Sequence, residues 1–297
     1  MALHAPLLLV FVVHSELDRL AREYSWQVSD VLCFDEARKI WFSDRAPSKE
    51  TAYGDAQWSS LDELLEDGWW TRIRNQVIEN ALRRYGVHRS IWDIGGGTGV
   101  VSMHLNRNGF MPIGIEPSPF AAALAAERGV ETLAAELLEL HLPTNGLNAV
   151  AMFDVLEHLD SRDQVLREIL RVLKPGGHLV ITVPALMALW SQHDVELGHR
   201  VRFNRRSLRR ELTLNGFEVK KLGYFFALTV LPLLVLRSVP YRLGLKNVFG
   251  REATLTSSGG RLGEVLGRVE LAIALRSPFG SSLLAVATKP KLKSDQK

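Results

Sequence analysis

IWDIGGGTGV, residues 91 to 100, joins a short apolar run to three consecutive glycines, a fourth at Gly99, and a valine that opens an amphipathic segment. The pattern predicts a strand, a tight turn and a helix. Glycines without a Cβ let the backbone turn sharply and approach a ligand, and the following helix start offers free N–H groups. The dinucleotide fingerprint GxGxxG fails in both frames: its third glycine would be Val100 read from Gly95, or Ser102 read from Gly97. A loop lacking that helix-packing glycine suits a ligand whose polar end is an amino acid rather than a diphosphate.

Downstream, apolar runs alternate with amphipathic segments, as in βαβ units. Strands are expected at 90–94, 111–115, 131–134 and 149–153. Ser118 as N-cap, Pro119 at the first helical position and Gly129 past the end bracket one helix. Ser161 and Gln164 have capping-box spacing ahead of a helix bearing Val165, Leu166, Ile169, Leu170 and Leu173. LKPGG at 173–177 is read as the turn into strand HLVITVP. An insertion after Pro184, a helix near 206–215, a strand near 217–222 and the closing run SLLAVATKP follow. The fold expected is α/β: a Rossmann-like, mostly parallel sheet with helices on both faces and an antiparallel last strand.

Upstream, Trp70, Ile73, Val77, Ile78, Ala81 and Leu82 trace one helix face that Gly86 stops, and Ser60 with Glu63 spaces a shorter capped helix. Residues 1–59 show no clean period, and Ser43 to Gly54 reads as loop. Ala5 to Val13 has the length of a signal-peptide core but neither a basic start nor a small-residue cleavage site, so a buried element is expected. The organisation expected is an N-terminal elaboration at 1–59 and a core at 60–223 with a lid insertion at 185–205. A hydrophobic, helical insertion at 224–280 and a closing strand and tail at 281–297 complete it.

The 297 residues are 46% hydrophobic with net charge +3, too little charge for a dedicated nucleic-acid binder. A single cysteine, Cys33, excludes an intrachain disulfide and a CxxC pair and fits a cytoplasmic setting.

Across 89–184 these motifs resemble the class I S-adenosylmethionine-dependent methyltransferase family, in its small-molecule branch. The resemblance implies S-adenosyl-L-methionine as cofactor, with Asp93, Gly95, Gly96, Gly97 and Gly99 around its methionine part and Glu116 accepting from both ribose hydroxyls. It places Glu136, where the family usually has Asp, near the adenine amino group and Leu137 on the ring. Asp154, in FDVLEHLD at 153–160, joins the cofactor set.

A hydroxyl acceptor wants a base: His158, at the carboxyl end of its strand, is the first candidate, with His193 and His199 as the others. Asp154, Glu157 and His158 are similar to a cluster that binds a divalent metal in some relatives; the same residues also read as polar groups opening a helix, with Asp154 and His158 on one face, and no metal is expected. WSQHDVELGHRVRF at 190–203 resembles a stretch in members associated with glycan or lipid-carrier biosynthesis. Six arginines, Arg200, Arg202, Arg205, Arg206, Arg209 and Arg210, suit an anionic acceptor or a solvated helix face. Trp69, Trp70, Arg72 and Arg74 are similar to a WW-x-x-x-R stretch covering the cofactor cleft, with Trp70 expected in the core and Trp69 in the lid.

Tyr224 to Leu236 carries no charge and is flanked by Lys220, Lys221 and Arg237. It is too short for a bilayer span and suits either peripheral contact with anionic lipid or a buried pairing with Leu262 to Leu275. The function expected is methyl transfer to oxygen of a small-molecule or lipid- or glycan-linked acceptor. The alternatives are an RNA methyltransferase, for which no RNA-binding module is seen, and a non-catalytic nucleoside-binding protein.

Overall fold

The structure, a computed structural model, describes residues 7–43, 54–56, 58, 59, 62, 68–245 and 260–291, of which 7–15 and 260–262 are described by backbone alone. Ser60, Glu63 and most of the Ser43–Gly54 loop lie outside the described residues. Among the described residues a nine-stranded sheet runs β1-β2-β5-β4-β3-β6-β7-β9-β8. Its strands are β1 Cys33–Asp35, β2 Ile40–Phe42, β3 Ser90–Ile94, β4 Met111–Ile115, β5 Glu131–Ala134, β6 Leu147–Phe153, β7 Leu173–Pro184, β8 Glu218–Phe225 and β9 Ser282–Thr288. From β2 to β7 every pairing is parallel, whereas β9 runs antiparallel to both β7 and β8.

Side-chain alternation explains the layers. In β6, Val150 and Met152 join one core with Trp92, Ile181, Leu283 and Ala285. This face is covered by Leu17 and Leu20 of α1 (Leu7–Tyr24), Leu166 and Ile169 of α5 (Arg162–Val172), and Leu208 and Leu212 of α7 (Arg205–Leu214). Ala149, Ala151 and Phe153 face the other way, into a core covered by α2 (Trp69–Arg84) and α3 (Val100–Arg107). Helices therefore cover both faces, as expected of strands buried on two sides.

Ser118 caps α4 (Pro119–Glu127) as read from sequence, its hydroxyl accepting from the Ala121 N–H, and Gly86 ends α2 at φ +63°. Other expectations are corrected. Ser161 precedes α5, but its side chain makes no capping bond. LKPGG is part of β7 rather than a turn before it: the register against β6 shifts between Leu147 and Ala149, and Gly176 and Gly177 stay hydrogen-bonded to Lys289. The stretch before residue 60 adds the β1–β2 pair to the sheet through β5, and Leu17 and Leu20 of α1 enter the main core.

Between β7 and β8, the short helix α6 (Gln192–Glu196) precedes α7. The chain between β8 and β9 forms α8 Val230–Leu233, a π-turn Leu234–Ser238, α9 Val239–Arg242 and α10 Gly260–Ile273. The expected pairing of Tyr224–Leu236 with Leu262–Leu275 forms at the start of the stretch, where Phe225 and Phe226 share a core with Leu271, Ala274 and Leu275. α10 lies on α2, close enough that a Cβ on Gly267 would meet Ile73 at 2.7 Å. It holds the start of the apolar stretch through buried Glu270, which accepts from the Ala227 and Leu228 N–H groups.

Candidate active site

The loop after β3 is shaped by three glycines with positive φ, Gly95, Gly97 and Gly99. A Cβ on Gly95 would stand 2.6 Å from Val155, and one on Gly99 2.8 Å from Ala125. Gly99 therefore permits a close approach to α4, so the loop does contain a packing glycine, one position earlier than the dinucleotide pattern would put it. The ring of Trp58 lies over Gly97.

Glu116 follows β4 and is 4% exposed. Its two carboxylate oxygens accept from the N–H of Gly97 at 3.0 Å and of Ser118 at 2.9 Å. A carboxylate has about four acceptor positions, so each oxygen retains capacity for a further donor. Burial raises its pKa to about 7, against the two backbone bonds. Asp93, at the end of β3, accepts from the Ser102 hydroxyl at 2.7 Å, while its other oxygen is buried without a hydrogen-bond partner among the described residues. Burial raises its pKa to about 6.

Asp154 stands just past β6 at φ +58° and binds the Arg74 guanidinium at 2.8 Å. Leu156–His158 forms a single 3₁₀ turn, so Asp154 and His158 do not share a helix face as the spacing suggested. Glu157 is fully buried, and neither carboxylate oxygen has a hydrogen-bond partner among the described residues. Burial, reinforced by the charge of Asp154, pushes its pKa well above the usual value.

The insertion between β7 and β8 brings a second set of groups to this turn. Ser191 and Asp194 form a capping box at the start of α6. Buried Asp194 meets His199 Nδ1 at 2.9 Å and Arg202 Nε at 2.6 Å. Burial alone would raise the Asp194 pKa, but His199 and Arg202 bring it down to about 2. His199 Nε2 faces Glu157 at 3.9 Å, and its ring meets that of His158 edge-on at 4.9 Å. Burial, then the neighbouring His199, lowers the His158 pKa to about 4; burial, then Arg237, does the same to His193.

The sequence candidates thus fall into two groups. Asp93, the glycine loop and Glu116 gather at the ends of β3 and β4, and His158 and His199 meet beyond β6. Glu136 caps the turn Leu137–Leu140 in a reciprocal box with Glu139, and Leu137 is buried. Trp69 and Trp70 both meet one partner rather than separate ones: Phe226 stacks on Trp70 at 3.6 Å and lies edge-on to Trp69 at 6.0 Å. Of the arginine cluster, Arg200 pairs with Asp160, Arg202 with Asp194, and Arg205 lies over Tyr224 and donates to the Ser277 carbonyl. Sequence reasoning missed Trp58 as a neighbour of the loop and Asp194 as the shared partner of His199 and Arg202. Asp194 had one available signal, a capping-box spacing from Ser191.

A family model described as a methyltransferase domain matches residues 69–222. A Mycolicibacterium smegmatis protein named among S-adenosylmethionine-dependent methyltransferases is 29% identical over 171 residues, 56% of this chain and 66% of its own length. A Mycobacterium tuberculosis protein with the same naming is 28% identical over 188 residues, 62% of this chain and 67% of its own. Phosphoethanolamine N-methyltransferase 2 of Haemonchus contortus, solved with S-adenosyl-L-methionine, shares the fold: TM-score 0.51, 17% identity, 82% of this chain and 59% of that one. The chain spans between about half and two thirds of the length of the first curated relatives it matches.

Proposed function

The chain belongs to the methyltransferase-domain family, and on that premise we propose that it transfers the methyl group of S-adenosyl-L-methionine to an oxygen of a small-molecule or lipid- or glycan-linked acceptor. The observation that carries the cofactor assignment is the Glu116 carboxylate, fixed by the Gly97 and Ser118 N–H groups beside a loop with no room for a side chain at Gly95 or Gly99. Its remaining acceptor capacity suits a vicinal diol. Asp93, with a buried oxygen lacking a hydrogen-bond partner among the described residues, suits a donor such as an amino group. We assign Gly95, Gly96, Gly97 and Gly99 to the methionine part, Glu136 and Leu137 to the adenine side, and Asp154 to the cleft floor, oriented by Arg74.

Bound there, the cofactor supplies a methyl group already activated on a sulfonium. The protein's part is alignment, exclusion of water and removal of one proton. The acceptor proton is lost at the His158–His199 cluster, where Asp194 orients His199 and burial keeps His158 neutral. The core at 60–223 then holds the cofactor, while the 185–205 lid and the 224–280 insertion choose the acceptor. Within the elaboration at 1–59, β1 and β2 extend the sheet at one edge, and within 281–297, β9 extends it near the other.

An exposed apolar face supports a lipid-linked acceptor reached by peripheral contact with anionic membrane. Leu228, Leu231, Val235, Val239, Leu243 and Leu245 are exposed, Leu231 and Leu243 at 68% each. Among the described residues no helix is long and apolar enough to cross a membrane.

Calorimetry with S-adenosylmethionine and S-adenosylhomocysteine tests the cofactor half, and labelled methyl transfer into extract sorted into lipid, small-molecule, protein and RNA pools tests the acceptor half. Absence of binding by folded wild-type protein would remove the methyltransferase reading. Label confined to RNA or protein would remove the proposed acceptor class.

A further inference from the structure

We propose that Glu157, His158 and His199 form a binding site for one divalent transition-metal cation, with zinc the first candidate. One ligand atom from each of the three lies within 4.8 Å of the others. Tetrahedral metal bonds of about 2.0–2.2 Å set ligand atoms about 3.4 Å apart, so binding would draw the most distant pair closer by up to about 1.4 Å. Two imidazoles and a carboxylate suit zinc and neighbouring first-row cations, and three protein ligands leave a coordination position open.

The second observation is Glu157 itself. A fully buried carboxylate with neither oxygen hydrogen-bonded among the described residues is costly unless a charge compensates it. The nearby guanidinium groups are each committed elsewhere, Arg74 to Asp154 at 2.8 Å and Arg202 to Asp194 at 2.6 Å. Asp154, which the linear motif grouped with Glu157 and His158, is thereby replaced in the set by His199 from the lid. Asp194 bonds His199 at Nδ1 and leaves Nε2 directed at Glu157, the outer-shell arrangement that fixes a ligating histidine.

The site stands on this geometry alone; its use in methyl transfer rests on the reading above. There the open position would take the acceptor oxygen and the cation would lower its pKa, so that the proton passes to a solvent water and His158 and His199 serve as ligands in place of the base role given to them above.

The test titrates chelator-treated full-length protein with Zn²⁺ and Co²⁺, without cofactor, by calorimetry and by visible absorption of the Co²⁺ form. One equivalent is expected to bind, with affinity at least about tenfold weaker in Glu157→Gln and in His199→Ala. His104→Ala, which removes a histidine paired with Glu79 on another face, is expected to bind like wild type. Folding of each variant is checked by thermal unfolding. X-ray absorption of the wild-type zinc form needs no variant and is expected to show two imidazole ligands. No stoichiometric binding by folded wild type, unchanged affinity in both ligand variants, or a spectrum without histidine ligands overturns the proposal. S-adenosylmethionine binding by the metal-free protein is measured separately, so failure of the metal site and failure of the cofactor assignment are distinguished.

Discussion

The β3–β4 side and the β7–β8 insertion side of the candidate site are built from different materials. Around β3 and β4 the work is done by backbone: glycines at positive φ, and N–H groups that hold one carboxylate. Beyond β6 it is done by paired side chains, with Asp194 joining His199 and Arg202 in the interior. A backbone site is specified by a few neighbouring residues, whereas a side-chain network needs partners from separate segments. The first therefore suits a constant ligand, and the second can be re-specified without disturbing it.

The largest effect expected is on stability, in the insertion between β7 and β8. Asp194→Ala leaves Arg202 buried without its carboxylate, which costs about 3–5 kcal/mol. Denaturant unfolding measures it, and cofactor affinity in the variant is expected to match wild type. A parallel loss of cofactor affinity would break the separation between the two sides.

Glu116→Ala tests the other side. Hydrogen bonds to a charged group are worth about 1.5–3 kcal/mol each, so losing two ribose contacts is expected to raise the cofactor Kd about 100-fold or more. Gly99→Ala acts through the backbone: a left-handed conformation at a non-glycine residue costs about 1–2 kcal/mol, and contact with Ala125 adds to it. A loss of about 2–3 kcal/mol in stability is expected from the two together. Little change on unfolding would mean that the loop tolerates a Cβ and is not held by close packing.

The difference in materials also governs what could be read from sequence. The glycine loop, Ser118 with Pro119, and the apolar run at 149–153 carry their structural reasons within a few neighbouring residues. β1 and β2, at three residues each, are too short to show a period and exist by pairing onward to β5. The Arg74–Asp154 pair spans 80 positions, and Phe226 serves two tryptophans from a distant strand end. Residues 190–203 announced histidines, an acid and arginines, but only tertiary packing assigns Asp194 to both His199 and Arg202. The same limit made the linear Asp154, Glu157 and His158 set an incomplete guide to the cluster.

pH sharpens the comparison further. Burial holds Glu116 at about pKa 7 and Asp93 at about 6. Hydroxyl donors favour the ionised carboxylate, so cofactor binding below pH 7 must expel a proton. Affinity is expected to weaken as pH falls from about 7 towards 6, by at most about tenfold per unit for each titrating group. Glu116→Gln is expected to bind more weakly and to lose much of that dependence. For folding the sign is reversed: a raised carboxyl pKa favours the protonated folded form, so its contribution is lost as pH rises towards 7. A cofactor affinity that stays flat between pH 8 and 6 in wild type would remove the assignment of Glu116.

The smallest change in stability is expected on the apolar face beside the lid. Leu231 is 68% exposed and Val235 52%, so Leu231→Asp with Val235→Asp removes little buried area and should alter stability by no more than about 0.5 kcal/mol per site. Membrane contact would respond differently, because each substitution removes apolar surface and adds a charge repelled by anionic lipid. Flotation with anionic vesicles is expected to recover wild-type protein and to lose the double variant, with cofactor binding unchanged in both. Equal recovery of the two proteins would show that this face does not mediate the contact, while failure of folded wild type to float would remove the membrane reading and leave a diffusible acceptor for the lid.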